Sequence, residues 1–144
     1  MNPSLEFSIN MMLAYNSVCK PFCHELHLPQ TAFDILMFLA NNPDCKTASD
    51  IVEYRKIKAN LVSINVDKLV QDGFLERRAV ASDRRKTELI CTEKAQSIIQ
   101  RGRAVQEAFF ARLLDGIDEP TRQAFARTME IIGGNLDQIL KENC

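Results

Sequence analysis

Asp72-Gly73-Phe74-Leu75-Glu76-Arg77-Arg78-Ala79-Val80, answered a few residues later by Thr87-Glu88-Leu89-Ile90-Cys91, is the stretch on which the fold of this chain turns. Gly73 stands where a helix ends in the left-handed conformation that glycine adopts at no steric cost. Phe74 to Val80 then reads as a strand, Ala81 to Lys86 as a charged tip, and Thr87 to Cys91 as a returning strand. No other part of the 144 residues has a convincing strand pattern. Five glycines and five prolines are too few for a sandwich or barrel of many strands.

Outward from the hairpin, everything is helical. Upstream, Thr47-Ala48-Ser49-Asp50 resembles a capping box with Asp in the place of Glu or Gln, and opens a short helix to about Tyr54. Arg55-Lys56-Ile57-Lys58 is a basic connection, and the next helix runs to Asp72. Earlier still, Leu28-Pro29-Gln30 starts a helix carrying Phe33, Ile35, Leu36, Met37 and Leu39, which ends at Asn41-Asn42-Pro43. The first segment opens with Asn2-Pro3, a cap followed by the residue best tolerated at the first helical position. Leu5, Ile9, Met12, Leu13, Val18, Phe22 and Leu26 follow at helical spacing, and Pro21 is expected to bend that helix. Downstream, Thr92 is placed to cap a long helix with Ala95, Ile98, Ile99, Val105, Phe109 and Leu113, which Gly116 ends. Asp118-Glu119-Pro120 starts the last helix, whose Phe125, Met129, Ile132, Leu136 and Ile139 form a heptad-like seam.

The order is helix, helix, short helix, helix, hairpin, helix, helix. The expected class is mainly α with a small β-hairpin wing: a winged helix-turn-helix lobe at 28–91, flanked by helical segments at 1–27 and 92–144. With 46% hydrophobic residues, the chain can bury one core as a single domain, 1–144. Its apolar runs are too short to cross a membrane, and residues 1–28 lack the pattern of an export signal, so the expected location is cytoplasmic. Five cysteines, an odd number without such a signal, read as free thiols.

The formal net charge of −1 hides an asymmetry. Arg55 to Lys86 holds nine basic and four acidic residues, a net of +5, against −6 for the remainder. The cations Lys58, Lys68, Arg84, Arg85 and Lys86 fall on the second helix of the motif and on its wing, the parts expected to meet a phosphate backbone. An ordinary solvated surface is the plain alternative, but the cluster at Ser82-Asp83-Arg84-Arg85-Lys86 has no neighbouring helical partners to neutralise it.

The run Val66-Asp67-Lys68-Leu69-Val70-Gln71-Asp72-Gly73-Phe74-Leu75-Glu76-Arg77, then Asp83-Arg84-Arg85 with Leu89 and Cys91-Thr92, resembles the recognition-helix ending and wing of the MarR family of bacterial transcription regulators. Lys20-Pro21-Phe22, with Leu26 and Leu28, is similar to the end of that family's first helix, and the order of elements matches over essentially the whole chain. The resemblance implies a homodimer built from the first, fifth and sixth helices. It further implies binding to double-stranded DNA at a pseudo-palindromic operator, commonly as a repressor relieved by a small effector. A helix over residues 1–27 would be roughly 40 Å long, more than a small lobe can cover, which agrees with a partner chain.

Carried over by position, Asn60, Leu61, Ser63, Ile64 and Asn65 fall where the family's recognition helix faces the major groove. Ile64 replaces a residue that is often Arg, and an aliphatic side chain cannot bind guanine in bidentate fashion, which shifts readout toward Asn60, Asn65 and thymine methyl groups. Arg85 matches a wing Arg that reaches a narrow minor groove, and Asp83 is expected to hold the wing in shape. Cys91, standing where Leu is usual, is expected to be buried and inert.

Two further groups are candidates. Cys19, Cys23, His24 and His27 lie within nine residues on the first helix, a set that could sense oxidants or bind a metal, or could simply be core thiols beside helix-end histidines. Phe22, Cys23, Leu26, Phe33, Met37 and Phe109 are either plain core or the lining of an effector pocket. Cys45 and Cys144 are read as exposed and incidental. No phosphate loop or catalytic triad is visible, so the chain does not read as an enzyme, and no cofactor is implied. The alternatives to an effector-controlled repressor are a thiol- or metal-sensing version of it and a winged-helix protein-interaction module without DNA binding.

Overall fold

The computed structural model describes residues 2–143. In chain order it contains α1 (Pro3–Glu25), α2 (Gln30–Asn41), α3 (Ala48–Arg55), α4 (Ala59–Gln71), β1 (Leu75–Val80), β2 (Asp83–Cys91), a 3-10 turn (Glu93–Ala95), α5 (Gln96–Leu113) and α6 (Glu119–Glu142). The chain divides into two compact units, one up to Phe109 and the other from Phe110 onward. Cys144 lies outside the described residues.

Local chemistry fixes the element ends. The Asn2 side chain accepts from the Ser4 N–H (3.0 Å), and Pro3 opens α1. Pro21 leaves α1 as one helix to Glu25. There Leu28 N–H donates to Cys23 C=O across His27, which takes the left-handed conformation at φ 53°. The capping box of α3 is complete. Thr47 Oγ1 accepts from Asp50 N–H (3.2 Å), while Asp50 Oδ2 accepts from the N–H groups of Thr47 (2.9 Å) and Lys46 (2.8 Å). Gly73, at φ 82°, ends α4 with Phe74 N–H donating to Leu69 C=O. Thr92 departs from its expected role. Its hydroxyl donates to Gly73 C=O (2.6 Å) and does not cap the following helix. Asp118 caps α6 as expected, accepting from Thr121 N–H (3.1 Å).

Within the first unit α2 is the central element. Phe33, Ile35, Leu36 and Met37 are buried, together with Ile51 of α3, Val62 and Leu69 of α4, Leu75 and Leu89 of the hairpin, and Ile99 of α5. Each such side chain contributes roughly 1.5–3 kcal/mol of burial. Gly102 of α5 is required by proximity, since a Cβ there would lie 2.6 Å from Met37 Sδ and 3.0 Å from Phe33 Cε2. Arg103 ties α5 to the end of α2, donating to Asn41 Oδ1 and Ala40 C=O, both at 3.0 Å. Arg101 pairs with Glu25 at 2.7 Å and lies over the Phe22 ring.

The long helices contrast with this core. Leu5, Phe7, Ile9, Met12 and Leu13 of α1 are exposed. In the second unit α6 has no buried residue, although its apolar spacing is regular. Among the described residues, no helix is long and apolar enough to cross a membrane.

Candidate nucleic-acid interface

Helix α4 has two faces. Val62, Asn65, Val66 and Leu69 point into the core, while Asn60, Leu61, Ser63, Ile64 and Asp67 are exposed. Asn65 therefore corrects the sequence reading. Its side-chain NH2 donates to Leu61 C=O one turn back (2.8 Å), and the residue is only 7% exposed. A side chain so buried is unavailable to a base edge. Lys68 is half-buried and pairs with Asp72, the C-cap of α4, at 2.8 Å. Lys58 precedes α4, exposed and without a side-chain capping bond.

The hairpin differs from the expected shape in an instructive way. Only Ala81 and Ser82 form the turn, and β2 already begins at Asp83. Strand pairing runs from Leu75 with Cys91 to Ala79 with Thr87, then jumps to Val80 with Asp83. Arg84, Arg85 and Lys86 occupy that jump. The three cations lie in an irregular part of β2 and not on a free tip, because the tight turn pulls Asp83 into pairing and leaves the extra residues outside the register. Asp83 Oδ1 accepts from Arg85 N–H (3.0 Å), a bond that shapes this segment. Arg84, Arg85 and Lys86 are exposed and form no salt bridge among the described residues, whereas Arg77 bonds Asp67 of α4 and Arg78 lies 3.7 Å from Glu76.

The wing is fixed at its base. Leu89 N–H donates to Lys46 C=O (2.7 Å) in the α2–α3 loop, and Thr92 N–H to Phe74 C=O (3.1 Å). Lys94 Nζ donates to Asp72 C=O (2.7 Å) and covers the Phe74 ring. These ties, with the Arg77–Asp67 bond, give α4 and the hairpin a common frame. Desolvation pushes the Asp50 carboxyl up, but the Thr47 and Lys46 donors and the Lys86 charge outweigh it and hold it below the ordinary carboxylate range. Lys86 thus links the wing electrostatically to the cap of α3. Neither this link nor the Lys94 clamp is legible in sequence spacing. A cleft of about 490 Å³ opens between α3, α4 and the hairpin, lined by Val52, Ala59, Val62, Ser63, Arg77 and Leu89 among others.

The cysteine and histidine set is not brought together. Cys19 and Cys23 are buried, His24 and His27 are exposed, and no three His, Cys, Asp or Glu side chains among the described residues could hold a metal ion. Burial raises the Cys19 thiol above its ordinary value and pushes Cys23 to about 11, which favours the protonated, unreactive form. Tyr15 is pushed to about 12 by burial, and its oxygen accepts from Gln106 Nε2 (2.9 Å). Cys45 and Cys91 are each partly buried, against expectations of exposed for the first and buried for the second. Phe22, Cys23, Phe33, Met37 and Phe109 are buried side chains, with Phe22 and Phe33 meeting edge-on at 5.5 Å, and Leu26 packs partly against that core. They fill space and do not line the cleft beside α4.

A family sequence model described as MarR family matches residues 28–86, the segment from the start of α2 into the wing. The lobe belongs to the MarR family. Solved structures superpose well beyond the lobe. A putative MarR family transcriptional regulator from Listeria monocytogenes, complexed with a 26mer DNA, gives a TM-score of 0.84 at 20% identity, covering 94% of this chain and 90% of that one. A MarR protein from Peptoclostridium difficile gives 0.83 at 18% identity, covering 95% and 89%. An uncharacterised SlyA-like transcription regulator from Listeria monocytogenes gives 0.82 at 20%, covering 94% and 90%. At these identities the likeness is one of fold, and the fold is the MarR winged helix. No curated relative matches the sequence.

Proposed function

We propose that the chain is a transcription regulator that binds double-stranded DNA as a homodimer and represses from a pseudo-palindromic operator. A small effector relieves that repression. The observation that carries this reading is the pairing of the exposed α4 face with the exposed cations Arg84, Arg85 and Lys86 on a wing tied to the same frame. A helix in the major groove and a cationic ribbon on the flanking backbone make up a two-part grip on a duplex. Asp67, which would repel phosphates, is neutralised by Arg77.

Dimerisation rests on the uncovered apolar residues of α1 and α6, Phe7, Met12, Phe125, Met129, Ile132 and Leu136 among them, which are between 42% and 67% exposed. Stripes of that kind in regular helices signal an interaction surface. Two chains related by a dyad would present two α4 helices and so require a two-fold related site.

Selection of retained duplexes from a random pool tests the reading. The expected result is enrichment of an inverted repeat. Arg85→Ala should weaken binding to it and reduce the slope of log affinity against log salt by about one per lost contact. Unchanged affinity with an unchanged slope would refute the wing's role.

A further inference from the structure

The most exposed apolar side chain of α4 is Ile64, 62% accessible, with Leu61 beside it at 44%. They share the outward face with Asn60 and Ser63, while Lys58 precedes the helix and the wing carries Arg84, Arg85 and Lys86. Nothing in the packing of the lobe requires an isoleucine there, since the core side of the helix is already filled by Val62, Val66 and Leu69. Ile64 is β-branched and in mid-helix, so its rotamer is nearly fixed and it would be presented to a ligand at little entropic cost.

We infer that Ile64 is a specificity-determining residue that packs against the C5-methyl group of a pyrimidine in each half-site. This inference rests on the DNA-binding reading above. Base edges in the major groove are donors and acceptors, except for the methyl group at C5 of thymine. An isoleucine against a guanine or an unmethylated cytosine edge would strip water from polar atoms and offer them no partner. Against a methyl group the same side chain removes apolar surface from water on both partners. The surrounding charge selects nucleic acid as the occupant of this apolar patch: the exposed cations Lys58, Arg84, Arg85 and Lys86 outnumber the carboxylates beside it, Glu53 of α3 and Asp67, and Asp67 is bonded to Arg77. Asn60, one turn earlier on the same face, is the amide that can pair with an adenine edge. Thymine and 5-methylcytosine present the same methyl group, so the chemistry recognised is a 5-methylpyrimidine.

The test uses the full chain and a duplex taken from selection. Each thymine is replaced in turn by deoxyuridine, which removes only the methyl group, and each cytosine by 5-methylcytosine, which adds one. We expect one thymine per half-site at which the loss of the methyl weakens binding about fourfold, the value of one buried methyl-sized group. Ile64→Ala should bind more weakly and show no further loss on that replacement. Should the contacted base be cytosine, the arm with 5-methylcytosine gains about fourfold, again only with Ile64 present. Methyl changes without effect at every position, or an effect that persists in Ile64→Ala, would overturn the assignment while leaving DNA binding intact. Failure to enrich any duplex would instead overturn the DNA-binding reading, and with it this one, and return the face to a protein partner. Because Ile64 is exposed, the variant is expected to keep the wild-type fold, and its thermal midpoint is the control.

Discussion

Helices α2 and α6 are both rich in apolar residues and meet opposite surroundings. In α2, Phe33, Ile35, Leu36 and Met37 are sealed within the lobe. In α6, Phe125, Met129, Ile132, Leu136 and Ile139 stand in solvent within their own unit. Periodicity tells that a face will be covered, and burial tells by what. The first face is covered by this chain, and the second is open in it; in the proposed homodimer the lobe carries specificity and the long helices double it.

Substitutions in these regions should therefore act very differently. The largest effect is expected from Phe33→Ala, which opens a cavity beside Phe22 and Met37 and should cost about 3–5 kcal/mol in urea unfolding. A cost under 1 kcal/mol would show that α2 is not the organising helix. Next comes the paired change Leu136→Glu and Ile139→Glu. It should leave the lobe folded by circular dichroism but weaken self-association roughly a hundredfold in sedimentation equilibrium, as carboxylates are forced against an apolar seam. Unaltered association would place the dimer interface elsewhere. Gly102→Ala should cost roughly 1–3 kcal/mol, because the added methyl meets Met37 Sδ and the Phe33 ring. Gly133 and Gly134 of α6, where an added Cβ meets nothing within 4 Å in this chain, should tolerate the same change in the monomer.

The smallest effect is at the capping box. Thr47→Ala should cost about 1 kcal/mol. The Asp50 carboxyl is held below its ordinary range, so its contribution to stability is complete above the unfolded value of about 3.9 and is lost as pH falls through the lower folded value. The stability difference between the wild type and Asp50→Ala should accordingly stay level at neutral pH and shrink only in acid. A difference that instead changed between pH 6 and 8 would assign the link to another group.

Most of the fold was legible because its signals are local. The caps at Asn2, Thr47 and Asp118, the glycine at 73 and the helical spacing of α2 and α4 each act over one or two turns. What escaped depends on three-dimensional register. Asn65 looked as outward-facing as Ser63, yet the face of α4 rotates it into the core, where the Leu61 carbonyl satisfies it. The wing cations were readable as a cluster, but their place outside the strand pairing follows from the two-residue turn at Ala81 and Ser82, which composition does not specify. The cysteine and histidine set lies within nine residues of sequence, but the packing of α1 buries the thiols and leaves the imidazoles outside.

The central claim is that two copies of this chain present paired α4 helices and wings to one duplex. Sedimentation equilibrium of the full chain with a selected inverted-repeat duplex measures this directly through the mass of the complex. Two chains per duplex are expected, with no stable species carrying one. A single chain bound per duplex, or free chain and free duplex at micromolar concentrations in low salt, would contradict it.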